Sequence, residues 1–217
     1  MIEIIIVAGG EIDDDLLECE IKNANKPYII GVDKGIEALD RINAIPDMVI
    51  GDFDSADRSI KEEYITKYKS MILNPIKDET DTHVAVLEAL KLDDPEKKII
   101  ILGATGGRMD HFLGNLALLK LCLDKDVRNA YILDSKNRIR IIKDYCCIKK
   151  AEAYGKFISL IPFTDKAEGI TLEGFKYNLR DGILLKDETR GISNEIIKEE
   201  GHIRIKSGYL LLLETKD

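Results

Sequence analysis

The stretch Pro46-Asp47-Met48-Val49-Ile50-Gly51-Asp52-Phe53-Asp54-Ser55 decides how the first part of this chain is interpreted. Apolar residues 48–50 predict a short buried strand, and Asp52 and Asp54 follow it closely. Because residues i and i+2 of an extended backbone point to the same side, both carboxylates are expected to face one ligand. Carboxylate oxygens are typical ligands of Mg²⁺. The alternative is that Asp54 or Ser55 caps the next helix and Asp52 is only solvated.

On either side of this stretch, short apolar runs alternate with segments whose apolar residues recur at helical spacing. The runs predict strands at residues 2–7, 28–30, 48–50, 71–73, 98–102 and 130–133. Helices are predicted at residues 13–23, 34–42, 56–68, 81–90 and 109–123. Continuous apolar strands alternating with helices indicate an α/β fold with an open, mostly parallel sheet flanked by helices. We expect this domain to span residues 1–136.

The pattern changes in residues 137–217, where glycines separate short β-rich segments. Strands are predicted at residues 157–161, 169–172, 177–179, 183–185, 202–206 and 209–213. Ser207-Gly208 is interpreted as a tight hairpin turn between the last two. These features predict a smaller antiparallel β-sandwich domain. The boundary is expected inside a basic stretch that contains Arg138, Arg140 and Lys143.

Composition narrows the class of protein. The 217 residues carry a net charge of −8, which argues against nucleic acid or an anionic membrane as a partner. The apolar start of the chain is too short for a signal peptide or a membrane span. The four cysteines show no zinc-ligand spacing, so we expect reduced thiols, no structural zinc and a cytoplasmic location.

Polar residues follow four successive predicted strands. In an open α/β sheet ligands bind beyond the carboxyl ends of the strands, so these residues are expected to share one site. Asp33 and Lys34 follow the second strand, with Asp33 as a hydrogen-bond acceptor or a helix cap and Lys34 as a phosphate ligand. The pair of aspartates follows the third. After the fourth strand, Asp78 or Thr80 is a candidate helix cap, and Asp81 favours the positive end of the helix.

The fifth strand is followed by Gly103-Ala104-Thr105-Gly106-Gly107-Arg108-Met109-Asp110-His111. Glycines allow backbone N–H groups to approach an anion, and the amino end of the predicted helix points to the same place. Arg108 adds a guanidinium group suited to phosphate oxygens. The segment is neither a Walker loop nor a Gly-x-Gly-x-x-Gly loop. Read alone, Asp110 is more often a first-turn helix charge, and His111 is more often a packed imidazole, than a ligand-binding residue.

Five segments, in this order, resemble the thiamin pyrophosphokinase family. They are Gly-Val-Asp-Lys-Gly at 31–35, Pro-Asp-x-x-Ile-Gly-Asp-Phe-Asp-Ser at 46–55, Lys-Asp-x-Thr-Asp at 77–81, Gly-x-Thr-Gly-Gly-Arg-x-Asp-His at 103–111 and Gly-x-Ser-Asn at 191–194. Each segment alone is a weak signal, but the ordered set is specific and covers nearly the whole chain. The resemblance implies transfer of a pyrophosphoryl group from ATP to the hydroxyl of thiamin.

The resemblance also implies roles for particular residues. It implies that Mg²⁺ is held by Asp52, Asp54 and Asp81, with Asp33 close to the nucleotide and metal. The implied ATP site includes Asp33, Lys34, Asp52, Thr105, Gly106, Gly107, Arg108, Asp110 and His111. Ser193 and Asn194 are implied to bind thiamin in the β-sandwich, within a homodimer. The family often places an aromatic ring against thiamin, and since the chain has no Trp, that ring must belong to Phe or Tyr.

Two alternatives stay open at the level of sequence. A pyrophosphokinase for another primary alcohol, such as a hydroxymethyl-pterin, would have a similar amino-terminal half. A non-catalytic nucleotide or thiamin sensor would need fewer metal-positioning carboxylates. The β-rich half with Ser193 and Asn194 favours thiamin. The joint presence of Asp52, Asp54, Asp81 and Arg108 favours an enzyme.

Overall fold

The computed structural model describes residues 1–217 and divides into two compact units, Met1–Ser135 and Lys136–Asp217. The first unit alternates strands and helices. Its strands are β1 (Glu3–Val7), β2 (Pro27–Val32), β3 (Met48–Gly51), β4 (Ser70–Ile72), β5 (Lys98–Leu102) and β6 (Ala130–Leu133). Its helices are α1 (Asp14–Asn23), α2 (Gly35–Arg41), α3 (Arg58–Lys67), α4 (Asp81–Lys91) and α5 (Met109–Asp124).

The sheet of the first unit has the strand order β6-β5-β1-β2-β3-β4, and all its pairings are parallel. In the central strand β1, Ile4, Ile5 and Ile6 have no exposed surface. Successive side chains of a strand point to opposite faces, so both faces of this sheet are covered. The predicted α/β class is therefore confirmed.

Short polar side chains start the helices that lead away from the sheet. The Asp57 carboxylate accepts hydrogen bonds from the backbone N–H groups of Ser59 and Ile60 at the start of α3. Neither Asp54 nor Ser55 caps this helix, so that alternative is wrong. Thr80 accepts from His83 N and caps α4 as predicted. Asp33 is not the N-cap of α2, because Lys34 occupies that position without a side-chain cap.

The second unit is a β-sandwich, as predicted. Its strands are β7 (Asn137–Ile142), β8 (Tyr145–Lys149), β9 (Phe157–Pro162), β10 (Lys166–Glu173), β11 (Leu179–Leu185), β12 (Asn194–Glu195), β13 (Glu200–Arg204) and β14 (Leu210–Thr215). A short 3-10 helix covers Lys150–Glu152. One antiparallel sheet has the order β12-β9-β14-β7 and the other β11-β10-β13-β8. Apolar residues from both sheets form one buried core between them.

Two details of the β-rich prediction are wrong. Ser207-Gly208 is not a hairpin turn, since β13 pairs with β8 and β10 whereas β14 pairs with β7 and β9. The turn instead carries the chain from one sheet to the other, and Gly208 adopts φ +89° there. The predicted strand at 177–179 is also absent as a separate element, because β11 runs continuously from Leu179 and includes the strand predicted at 183–185.

None of the helices is both long and apolar enough to cross a membrane.

Candidate active site

Three aspartates meet at the carboxyl edge of the parallel sheet. Asp33 follows β2 and Asp52 follows β3, while Asp81 begins α4. The Lys77 ammonium connects two of them, because Nζ lies 3.4 Å from Asp52 Oδ2 and 3.1 Å from Asp81 Oδ1. The side chains of Lys77, Asp52 and Asp81 are each at most one-fifth exposed. The segments that follow three neighbouring strands, β2, β3 and β4, therefore gather a partly buried acidic cluster, formed by Asp33, Asp52 and Asp81.

The loops are held together by close backbone packing. Asp33 N donates to Ile50 O at 2.9 Å, and Asp33 adopts a left-handed φ of +47°. A Cβ at Gly51 would lie only 3.1 Å from Asp33 Cα, so a side chain there would push the two strand ends apart. Glycine at the end of β3 thus allows Asp33 and Asp52 to approach the same place.

The electrostatics of this acidic cluster favour a cation. Burial raises the pKa of the Asp33 carboxyl, and the negative charges of Asp81 and Asp52 raise it further. The Ser55 hydroxyl, which donates to Asp33 Oδ2 at 2.9 Å, acts in the opposite direction and lowers this pKa. Asp33 Oδ1 and Asp81 Oδ1 are buried without a hydrogen-bond donor, and the contact of Asp81 with Lys77 is an ion pair without hydrogen-bond geometry. Buried carboxylate oxygens that lack donors fit the oxygen ligands of Mg²⁺.

Asp54 differs from the geometry expected of an extended strand. The fully buried Phe53 adopts φ +56°, so the chain turns between Asp52 and Asp54. The expectation that both carboxylates point to one side because the backbone is extended is therefore wrong. Instead, Asp54 N donates to Asp52 Oδ1 at 3.0 Å, and the Asp54 side chain is exposed. The ring of Phe53 is buried in the core at this turn.

The glycine-rich loop after β5 packs against the loop after β1. Gly10 N donates to Gly103 O at 2.9 Å, and a Cβ on Gly10 would lie 2.7 Å from Thr105 O. Gly106 adopts φ +74° beside Glu11, whereas a Cβ on Gly107 would meet nothing within 4 Å. Gly107 therefore leaves open backbone beside the amino end of α5, where an anion is favoured.

Charged and hydroxyl side chains surround this loop. Arg108 Nε and Nη2 donate to the two carboxylate oxygens of Asp110 at 3.1 and 2.5 Å. This guanidinium lowers the pKa of Asp110 to about 2. Thr105 Oγ1 donates to Asp134 Oδ2 at 2.8 Å, beyond the end of β6. Arg108 and Asp110 are both mostly exposed, so this ion pair can open to a phosphate at small energetic cost.

A cleft of about 360 Å³ joins the acidic and glycine-rich loops. Seven of the residues predicted to bind ATP or metal line this cleft, namely Asp33, Lys34, Asp81, Thr105, Gly107, Arg108 and His111. Asp52, Asp54, Gly106 and Asp110 lie outside the lining. The structure adds residues that the sequence interpretation did not assign to the site, among them Gly9, Gly10, Ser55, Thr82 and Asn115. Gly9-Gly10 comes one residue after the end of β1, and a glycine pair that closely follows a strand is a sequence signal that could have revealed this loop.

The residues predicted to bind thiamin lie in the second unit. Asn194 is buried, and its side chain forms hydrogen bonds with backbone groups of the same chain. Its Oδ1 accepts from Tyr177 N at 3.0 Å and Glu195 N at 2.9 Å, and its Nδ2 donates to Tyr177 O at 2.8 Å. Ser193 adopts φ +58°, and its N–H donates to Ser159 Oγ. Asn194 thus fixes the backbone at Tyr177.

An apolar cavity of about 280 Å³ lies beside Asn194 in the second unit. Its lining includes two aromatic residues, Phe175 and Tyr177. Phe175 is only 1% exposed and belongs to the core, whereas Tyr177 is 62% exposed. Tyr177 is therefore the aromatic ring in this lining that a ligand can reach. Arg190 and Ile192 also line this cavity.

The carboxyl edge of the parallel sheet holds an acidic cluster and a glycine-rich loop at the start of a helix. These two features are typical of an α/β protein that binds a phosphorylated ligand and a divalent cation. Comparisons with known proteins identify the family. The model for "Thiamin pyrophosphokinase, catalytic domain" matches residues 20–131, and that for "Thiamin pyrophosphokinase, vitamin B1 binding domain" matches residues 146–210. The chain therefore belongs to the thiamin pyrophosphokinase family and is an enzyme.

Individual relatives agree with this assignment. Thiamine pyrophosphokinase of Bacillus subtilis is 33% identical over 190 residues, which are 87% of each chain. A crystal structure of thiamine pyrophosphokinase from Bacillus subtilis has a TM-score of 0.87 at 33% identity and covers 99% of both chains. The thiamin pyrophosphokinase structure from Geobacillus thermodenitrificans has a TM-score of 0.84 at 26% identity, over 100% of this chain and 98% of that one.

Proposed function

We propose that this enzyme transfers the pyrophosphoryl group of ATP to the hydroxyl of thiamin, giving thiamin diphosphate and AMP, with Mg²⁺ as the required cation. The main observation in support of this proposal is that Asp33, Asp52 and Asp81 lie at the same edge of the sheet as the glycine-rich loop. Acidic groups for a cation and open backbone for phosphate are the two features that binding of Mg–ATP needs.

In this proposal the loop after β5 binds the phosphates. Backbone N–H groups at Gly106 and Gly107 and the amino end of α5 face the anion, and Arg108 and Lys34 supply positive charge. Thr105, Asp110 and His111 border the same loop, and Asp33 Oδ1 is free to accept a hydrogen bond from the nucleotide. The family match of residues 20–131 supports this assignment.

We assign Asp52, Asp54 and Asp81 to Mg²⁺. Asp52 and Asp81 already lie on either side of the Lys77 ammonium, so the chain itself places a positive charge between them. Asp54 adjoins this pair, because its N–H donates to Asp52 Oδ1 at 3.0 Å, and its side chain is exposed. When bound, Mg²⁺ neutralises charge that develops on the phosphoryl oxygens.

The chemistry is an in-line displacement at the β-phosphorus. The thiamin hydroxyl oxygen forms a bond to this phosphorus, the bond to the oxygen of the α-phosphate breaks, and AMP leaves with that electron pair. The hydroxyl proton passes to a base or to water. Catalysis of such a step is mostly positioning and charge stabilisation, which Arg108, Lys34 and the acidic residues supply.

We place thiamin in the second unit, beside Ser193 and Asn194, in an enzyme that acts as a homodimer through its β-sandwich. The cavity next to Asn194 and the vitamin B1 binding match at residues 146–210 support this. Asn194 acts by holding the backbone at Tyr177, and the exposed Tyr177 ring is available to a ring of the cationic substrate.

A product assay tests the reaction. The purified protein is incubated with ATP, Mg²⁺ and either thiamin or a hydroxymethyl-pterin, and the products are resolved by mass. We expect AMP and thiamin diphosphate in equal amounts and no product from the pterin. Formation of ADP and thiamin monophosphate, or no turnover of thiamin, would contradict the proposal.

Replacing Tyr177 with alanine tests the thiamin site. A cation stacked on an aromatic ring gains about 1 to 2 kcal/mol when partly desolvated, so KM for thiamin should rise roughly 5- to 30-fold. KM for ATP should not change, because Tyr177 lies in the second unit. The control is Tyr177→Phe, which keeps the ring and should stay close to wild type. An unchanged KM for thiamin in Tyr177→Ala would remove this residue from the site.

A further inference from the structure

A second cluster of metal-binding side chains lies on the sandwich, formed by Cys147, Glu200 and His202. Cys147 in β8 pairs directly with His202 in β13, and directly opposed residues have Cβ atoms about 4.5–5.5 Å apart. Glu200 is two residues before His202 and shares its face of the strand. One ligand atom from each of the three residues lies within 4.8 Å of the other two. These residues line the outer face of their sheet, since the neighbouring Cys146 points into the core.

The chemistry of this cluster differs from that of the acidic cluster at the sheet edge. A thiolate, an imidazole and a carboxylate are the ligands that Zn²⁺ and similar borderline cations prefer, whereas Mg²⁺ prefers oxygen alone. Tetrahedral binding at zinc–ligand distances of 2.0–2.3 Å places ligand atoms roughly 3.3–3.8 Å apart. His202 Nε2 and Glu200 Oε2 are already 3.6 Å apart. Cys147 Sγ lies within 4.8 Å of a ligand atom of each of the other two residues, which is at most about 1 Å beyond the spacing of a tetrahedral site.

A hydrogen bond orients the imidazole toward this position. The Tyr145 hydroxyl lies 2.8 Å from His202 Nδ1, and the two rings stack at 6.2 Å with an interplanar angle of 15°. With Nδ1 bonded to Tyr145, Nε2 faces Glu200 and is available to a metal. A partner of this kind on the second ring nitrogen accompanies almost every histidine that ligates a metal.

We infer that Cys147, Glu200 and His202 form a surface binding site for one Zn²⁺-class divalent cation, with water as the fourth ligand. Binding replaces the thiol proton of Cys147 with a metal–sulfur bond and releases that proton to solvent, so affinity rises with pH. The ion ties β8, an edge strand of its sheet, to β13. The spacing of cysteines along the sequence gives no sign of this site, because strand pairing brings together residues more than fifty positions apart.

Titration with Co²⁺ tests the inference, since cobalt substitutes for zinc and reports thiolate ligation by absorption in the near ultraviolet. The full-length protein, kept reduced with a phosphine, should gain a thiolate-to-cobalt charge-transfer band that saturates at one equivalent. Zn²⁺ should displace the cobalt and abolish the band. We expect Cys147→Ser and His202→Gln to lose it. Cys19→Ser, which removes the other exposed cysteine, should retain it.

Tyr145→Phe separates ligation from orientation. It keeps all three ligands but removes the hydrogen bond to His202, so the stoichiometry should remain one while Co²⁺ affinity falls about tenfold or more. Circular dichroism of each variant checks that the fold is intact. The inference is overturned if wild type shows no charge-transfer band at one equivalent, or if a folded Cys147→Ser variant retains the band.

Discussion

Replacing Asp81 with asparagine is expected to lower kcat for thiamin diphosphate formation by at least about 10²-fold, the size of effect seen when one charge-stabilising group is lost from a water-excluded site. Asp81 is the acidic residue whose buried Oδ1 lacks a hydrogen-bond donor and which shares Lys77 with Asp52. Asparagine keeps the size of the side chain but removes its negative charge. Initial rates are measured over a range of Mg²⁺ concentrations, and half-maximal activity should require more Mg²⁺ than in wild type.

Asp78 provides a matched control for this prediction. It is an exposed carboxylate three residues earlier, and Thr80, not Asp78, caps α4. Asp78→Asn should therefore leave kcat and the Mg²⁺ requirement within a few-fold of wild type. Equal activity of Asp81→Asn and Asp78→Asn would show that Asp81 does not hold the cation.

The same assay on Asp54→Asn decides how the metal is held. If Asp54 is a ligand, its loss should lower kcat by orders of magnitude, as for Asp81. A variant that stays within a few-fold of wild type would exclude Asp54 and leave the acidic cluster of Asp33, Asp52 and Asp81 as the ligands. The turn at Phe53, which exposes Asp54, makes this comparison informative.

The fold of the first unit was predictable because its strands are buried on both faces. Ile4, Ile5 and Ile6 are apolar in succession, and a short apolar run bounded by turn residues is the sequence signal of such a strand. The carboxyl ends of parallel strands meet at one edge, so Asp33 and Asp52 were expected at the same edge of the sheet.

Strands β7 and β8 were not predicted. For β7, the contacts of its arginines show why. Arg138 and Arg140 alternate with isoleucines in β7, and these arginines were interpreted as a basic stretch at the boundary. Arg138 is in fact partly buried because it pairs with Glu214 in the adjacent strand β14. A partner 76 residues away cannot be identified from local periodicity.

Details of the site escaped prediction for similar reasons. The left-handed turn at Phe53 is a backbone feature that periodicity does not indicate, and the role of Asn194 in holding Tyr177 comes from side-chain hydrogen bonds to a residue 17 positions away. Sequence motifs indicate which residue types are near a site. They do not indicate whether a side chain such as Asn194 faces the ligand or supports its neighbour.

The largest expected loss of stability follows from replacing Glu214 with glutamine. Glu214 is fully buried, and its two oxygens accept from Arg138 Nε at 2.9 Å and Nη2 at 2.6 Å, and from Tyr154 N at 3.1 Å. Glutamine removes the negative charge that faces the mostly buried Arg138 guanidinium, and its amide NH2 group cannot accept the hydrogen bonds that one carboxylate oxygen accepts. Breaking a buried ion pair from one side costs about 3–5 kcal/mol. We expect the free energy of unfolding of the second unit to fall by this amount, measured by urea titration.

A second cross-strand pair of arginine and glutamate in the same unit is the control. Arg204 Nη1 lies 2.6 Å from Glu173 Oε2, but both side chains are more than half exposed. Water already solvates these charges, so Glu173→Gln should leave the free energy of unfolding close to that of wild type. The two variants make the same chemical change to an arginine partner at the same distance, so a difference between them measures the effect of burial. Similar losses in both would mean that burial of Glu214 does not determine its contribution.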